Sequence, residues 1–205
     1  MSPPQKDAIK EIIELFDKAE ARIKEVEQLS QDLSIPSINE LRYAGYHLAR
    51  SYIEDDPQEL DIQIDKARRH CKRAIYDAHE MGIIDLLKVI KLFKEAYTPF
   101  SSSVLEVIPR YTEELATANK AKRFISEIKE KHRNKRDDYY KECEPHYKAL
   151  RDIVDNFSVA EPLINQKIIE KKENDQKQTR RFITTVALAL LGLGISATIL
   201  TLKLV

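Results

Sequence analysis

Glycine, cysteine and tryptophan are scarce in this chain. Its 205 residues include four Gly, two Cys and no Trp. Gly192 and Gly194 fall in one apolar run near the carboxyl end, which leaves Gly45 and Gly82 for everything before it. A phosphate cradle needs glycines so that backbone amides can approach the ligand, and a P-loop is therefore excluded. No Gly-x-Ser-x-Gly elbow presents a nucleophile. Net charge is missing too. The 34 basic and 34 acidic residues sum to zero, so attraction to nucleic acid can come only from local patches. Hydrophobic residues at 42% exclude a disordered acidic or basic tail. Cys71 and Cys143 lie far apart in segments that read as helix, and the amino terminus has no apolar h-region. Both thiols are therefore expected to be reduced, in a cytosolic setting.

What is present is helical periodicity. Ile9, Phe16 and Ile23 alternate with Ile12, Ala19, Val26 and Leu33 in a coiled-coil-like heptad over 9–33 that asks for a partner. Pro36 breaks it, and Ser37 with Glu40 forms a capping box for the next helix. That helix is expected to bury Ile38, Leu41, Gly45, Leu48 and Tyr52. Pro57 suits a first helical position. After it Leu60, Ile64, Ala67, Cys71, Ala74 and Ala78 repeat at helical spacing, and Met81-Gly82 reads as a stop. Residues 83–97 are apolar on most sides, and 98–103 read as a loop. Two stripes follow: Tyr111, Leu115, Ala118, Ile125 and Ile128, then Tyr139, Cys143, Tyr147, Leu150, Val154 and Phe157. Between them, 129–138 carries no apolar residue and is either a hairpin turn around Asn134 or part of one long solvated helix. Ser158 and Glu161 read as a second capping box. No alternating strand pattern and no repeat occurs. The expected fold is all-α: a helical bundle or long antiparallel helical hairpins with a single C-terminal transmembrane helix. The expected divisions are a bundle at 1–100, a charged, coiled-coil-like stalk at 101–180 and an anchor at 181–205.

The expected anchor is the run ITTVALALLGLGISATILTL at 183–202, which has no charged residue. About twenty residues span the ~30 Å of hydrocarbon in a bilayer. Its Ile, Leu and Val residues contribute on the order of −5 kcal/mol towards insertion. Lys177, Arg180 and Arg181 precede the run and only Lys203 follows it. This excess of basic residues places the amino-terminal side in the cytoplasm. The expected protein is single-pass and tail-anchored, most simply in a bacterial inner membrane, with the lipid bilayer as its first partner. Thr185, Ala189, Gly192 and Ser196 share one face of the span, where small side chains let a second helix approach. A homo-oligomer is the expected consequence.

Chemistry is sparse. His70-Cys71, His79-Glu80 and Cys143-Glu144-Pro145-His146 are the only His/Cys groupings, and none matches a zinc spacing. No metal or cofactor is expected. Arg42 and His47 are separated by four residues. This spacing resembles the Arg-x4-His motif of HEPN domains, small helical modules of prokaryotic toxin and antiviral systems, over residues 37–100. The resemblance implies a ribonuclease working as a dimer. Its imidazole, here His47, would move a proton at the ribose 2′-hydroxyl while Arg42 holds the phosphate. Tyr43 stands where the family often has a polar residue. On a straight helix the two side chains point about 140° apart, so a bend or a partner chain would have to bring them together. The alternative is a half-exposed face on which the two pair locally. A basic run over 120–136, Lys120, Lys122, Arg123, Lys129, Lys131, Arg133, Lys135 and Arg136, could track nucleic acid or an anionic membrane. No aromatic residue lies between Phe124 and Tyr139 to stack a base. The leading expectation is a non-enzymatic, tail-anchored protein that binds a protein partner or itself, as a membrane effector of antiviral defence would. The alternative is a membrane-tethered HEPN-like ribonuclease.

Overall fold

Proline and small side chains decide where the helices start and how closely they meet. The computed structural model describes the backbone of residues 3–202 and the side chains of 5–186. Every regular element among the described residues is helical: α1 (Pro3–Ser30), α2 (Ile35–Ile53), α3 (Pro57–Tyr97), α4 (Ser101–Val107), α5 (Tyr111–Lys131) and α6 (Cys143–Leu202). Short 3₁₀ turns occupy Thr98–Phe100 and Arg133–Asp138. The all-α class is as expected. The chain divides into two compact units, Met1–Pro99 with Arg110–Phe157, and Phe100–Pro109 with Ser158–Val205.

In the larger unit α1 and α2 both pack on α3. The α1 heptad is satisfied within the chain. Ile12, Leu15, Ala19, Ile23 and Val26 are buried, and the first three share a core with Ile64, Ala67, Cys71 and Ala74 of α3. Leu33 falls outside this seam and is exposed, because α1 ends at Ser30. Gln31 then turns the chain with a positive φ of 58°. The seam of α2 is Ser37, Ala44 and Ser51, all buried and seven residues apart. Small residues at that spacing let the two backbones come close. The expected stripe is corrected accordingly: Leu41 and Leu48 flank the seam half-buried, while Ile38, Gly45 and Tyr52 face outward. The expected α3 stripe is the observed one, with Ile64, Ala67, Cys71, Ala74 and Ala78 buried and Leu60 packed at its edge.

Three expected helix boundaries are corrected. The helix starts at Ile35 rather than Ser37, with Pro36 in its first turn, where a missing N–H costs nothing. Gly82 does not stop a helix. It lies inside α3, buried, where a Cβ would sit 2.6 Å from Tyr147 Cε2 and 2.9 Å from Val26 Cγ2. Glycine here permits a close approach rather than a turn. Ser158 starts no helix, since α6 runs through it and carries Pro162 in its interior. The carbonyl this frees belongs to Ser158, and both residues are exposed, so water can satisfy it. The expected loop at 98–103 is instead a 3₁₀ turn and the start of α4.

The charged run 129–138 closes α5 at Lys131 and then turns through Arg133–Asp138. Asp137 accepts from Arg69 Nε at 2.7 Å and from Arg73 Nε at 3.3 Å. Arg136 donates to Asp77 at 2.6 Å. Ion pairs therefore tie the turn to α3, which a solvated helix would forgo. Phe93 stacks on Phe157 with ring centres 4.2 Å apart and leans on Tyr97 and Tyr111.

In the smaller unit Val104, Ile108, Ala160, Ile164 and Ile168 are buried. Lys171 of α6 donates to Glu106 of α4 at 2.6 Å. Among the described residues no helix is long and apolar enough to cross a membrane. Of the expected span at 183–202, the side chains from 187 onward lie outside the described residues.

Candidate functional site

Polar, aromatic and basic groups converge at the outer edge of the α2–α3 seam. Ala44 and Ala67 are fully buried there, so the side chains just outside them meet at short range. Arg42, Tyr43, Tyr46 and His47 line a surface recess of about 430 Å³. Sequence spacing alone turns Arg42 away from His47. Both residues line the recess, but the Arg42 guanidinium rests over Tyr43, its carbon 5.1 Å from that ring centre.

His47 is held in one tautomer. Its Nδ1 lies 2.7 Å from Gln63 Oε1. The Gln63 amide nitrogen donates in turn to Glu59 Oε1 at 2.5 Å, which fixes the oxygen toward the imidazole. A carbonyl oxygen can only accept, so Nδ1 carries a proton, and in the neutral ring the lone pair is on Nε2. That arrangement leaves a nitrogen able to take a proton.

His70 joins the site from α3. Its ring lies nearly parallel to that of His47, 14° apart with centres at 5.2 Å, and 5.5 Å from the Tyr43 ring. His70 Nδ1 lies 2.6 Å from Glu40 Oε2. A carboxylate also accepts, so His70 presents Nε2 as well. Glu40 reaches Arg136 at 3.9 Å, and Arg136 continues to Asp77. Burial pushes the Asp77 carboxyl up to about 7, against the pull of Arg136. Burial acts the same way on Asp137, yet hydrogen bonds from Arg69 and itself and the nearby arginines hold it below the usual range.

Sequence spacing singles out Arg42 and His47 but does not place His70, Glu40, Gln63 or Glu59 beside them. Gln63 and His70 are seven residues apart on α3, one heptad, so they share the face turned to α2. That spacing was the available signal. Other groups go elsewhere. His79 is fully buried, edge-on to Tyr147 at 5.6 Å, and burial lowers its pKa to about 4. The Cys71 thiol is buried and pushed up to about 12. Cys143 is buried as well, and its thiol is pushed up for the same reason.

The basic run 120–136 is partly neutralised. Lys129 pairs with Glu80 at 2.6 Å, Lys131 with Glu127 at 3.4 Å, and Arg136 with Asp77. Lys177, Arg180 and Arg181 are exposed along α6, with Lys177 3.9 Å from Glu173. Thr185 donates its hydroxyl to the Arg181 carbonyl at 2.9 Å. The α6 backbone carries positions 189, 192 and 196, but the side chains of Ala189, Gly192 and Ser196 lie outside the described residues, as does Lys203 altogether. No protein-family model, curated protein or solved structure matches the chain.

Proposed function

We propose that the chain is a tail-anchored membrane protein without catalysis of its own. Its helical body, on the cytoplasmic side, mediates interaction with a protein partner or with a second copy, as a membrane effector of a prokaryotic defence system would. One observation carries the reading. The backbone of α6 continues unbroken from the charged stretch 171–181 into the uncharged run, and Phe182, Ile183 and Val186 are exposed at its beginning. Exposed large apolar side chains at the head of a long uncharged helix favour a lipid surrounding over water. Flotation with liposomes tests the anchor. Leu191→Lys places a charge in the middle of the run at a cost of about 3 kcal/mol and should release the full chain from the lipid fraction. Retention of that variant would count against the anchor. Crosslinking in detergent tests self-association, which Gly192→Leu should weaken by blocking the small-residue face.

A second reading is favoured by the fixed tautomer of His47. A membrane-tethered, HEPN-like ribonuclease would use Nε2 of His47 as the proton acceptor and Arg42 as the phosphate-holding group, with His70 as a further imidazole beside them. The full chain would then cut RNA in the presence of a chelator. His47→Ala and Arg42→Ala would each abolish cutting, and Gln63→Leu would change its pH profile. A full chain that leaves RNA intact, as monomer or dimer, retires this reading.

A further inference from the structure

A groove of about 480 Å³ runs between α3 and α5, within the larger unit. That volume lies in the range of ligand-binding clefts. Leu87, Ile90, Leu115, Ala118 and Ile125 give it an apolar floor. Lys88, Lys91, Lys94, Lys122 and Lys129 also line it, and all five are exposed. Some of this charge is answered locally: Asp85 lies 2.7 Å from Lys88, Glu95 3.7 Å from Lys91 and Glu80 2.6 Å from Lys129. Among the described residues Lys94 and Lys122 have no ion-pair partner, so the groove keeps a net positive rim.

The distribution of the charge decides the occupant. The lining on α5 extends from Leu115 to Lys129, about 21 Å of helix. Lysines stand along this length on both helices rather than gathering at one end. A lipid concentrates its anionic charge in a headgroup with the apolar tail on one side. An amphipathic helix carries charge along both flanks of an apolar stripe, which is the pattern that helix-binding grooves read. We propose that the groove between α3 and α5 receives an amphipathic helix of a partner protein, with carboxylates flanking its apolar stripe. The proposal rests on the interaction reading above and does not depend on the anchor.

The test uses the full chain in nanodiscs of zwitterionic lipid. The probe is a labelled peptide of about 15 residues, long enough to cover the groove, with leucines at helical spacing and glutamates on both flanks. Its control carries lysines in place of the glutamates. Fluorescence anisotropy should show binding of the acidic peptide alone, weakened by about tenfold in Lys91→Glu/Lys122→Glu. Hydrogen exchange should slow on binding at 84–94 and 115–129. Both substituted residues are exposed, and an unchanged helical circular dichroism spectrum serves as the folding control. The proposal is overturned if the acidic peptide does not bind, if the lysine peptide binds equally, or if the double variant leaves peptide affinity intact. It is also overturned if the substitutions remove only recruitment to phosphatidylserine vesicles. Each of these results leaves the flotation experiment free to support or reject the anchor independently.

Discussion

Replacing Gly82 and Gly45 with alanine should move stability in opposite directions. Both glycines lie inside helices, where alanine is favoured by about 1 kcal/mol. Around Gly45 nothing lies within 4 Å of a new Cβ, so that gain should appear nearly in full. At Gly82 the methyl would meet Tyr147 Cε2 at 2.6 Å, Val26 Cγ2 at 2.9 Å and Tyr147 Cδ2 at 3.1 Å. The Tyr147 ring cannot easily step aside. It is 1% exposed, edge-on to His79, beneath the Arg22 guanidinium at 4.8 Å, and donates its hydroxyl to Glu25 at 3.2 Å. Overpacking of this kind costs about 1–3 kcal/mol. The upper part of that range applies because two rigid neighbours overlap the methyl, so the net loss is about 1–2 kcal/mol. At about 2–4 °C per kcal/mol for a chain of this size, Gly82→Ala should lower the melting temperature by roughly 2–8 °C. Gly45→Ala should raise it by roughly 2–4 °C. Circular dichroism melts of the full chain in detergent would measure both. An equal gain from the two substitutions would refute the close packing of α1, α3 and α6 at Gly82.

Other perturbations follow from the same packing. Ile12 is fully buried and Ile13, beside it, is 52% exposed. Ile12→Ala should cost about 2–5 kcal/mol in urea unfolding and Ile13→Ala less than about 0.5. The Asp56 side chain caps α3 by accepting from the Gln58 N–H at 3.0 Å, so Asp56→Ala should cost about 1 kcal/mol. His79 should make stability depend on acid. Burial, with Arg22 and Lys18 nearby and against the pull of Glu144, keeps the folded ring neutral down to about 4, below its ordinary 6.5. The unfolded ring binds a proton between those values and the folded one does not. The stability difference between wild type and His79→Gln should therefore fall by on the order of 3 kcal/mol as pH drops from 6.5 to about 4, then level off. A pH-independent difference would mean that the imidazole is not shielded.

Periodicity revealed the α3 stripe and the heptad of α1 because both bury residues that repeat on one helical face. It misplaced the α2 stripe because apolarity was weighted over size: Ser37 and Ser51 look polar, yet their small volume brings the helices together. Local sequence makes Gly82 look like a stop. Its role depends on Val26 and Tyr147, which are distant in sequence, and no local rule could expose it. The same limit hid the recess. Arg42 and His47 were visible as a spacing on one helix, whereas Gln63 and His70 belong to the site only because α3 packs against α2 there. Sequence alone leaves 129–138 open between a hairpin turn and a solvated helix, and carboxylates on α3 and in the turn itself decide it.

Alkaline carbonate extraction of the full chain, synthesised in the presence of bacterial membrane vesicles, tests the anchor most directly. If α6 sits in lipid, the chain stays in the pelleted vesicles at high pH, and its helical body remains open to protease on the cytoplasmic face. If the chain moves to the supernatant, the uncharged run is not embedded and the proposed function is wrong.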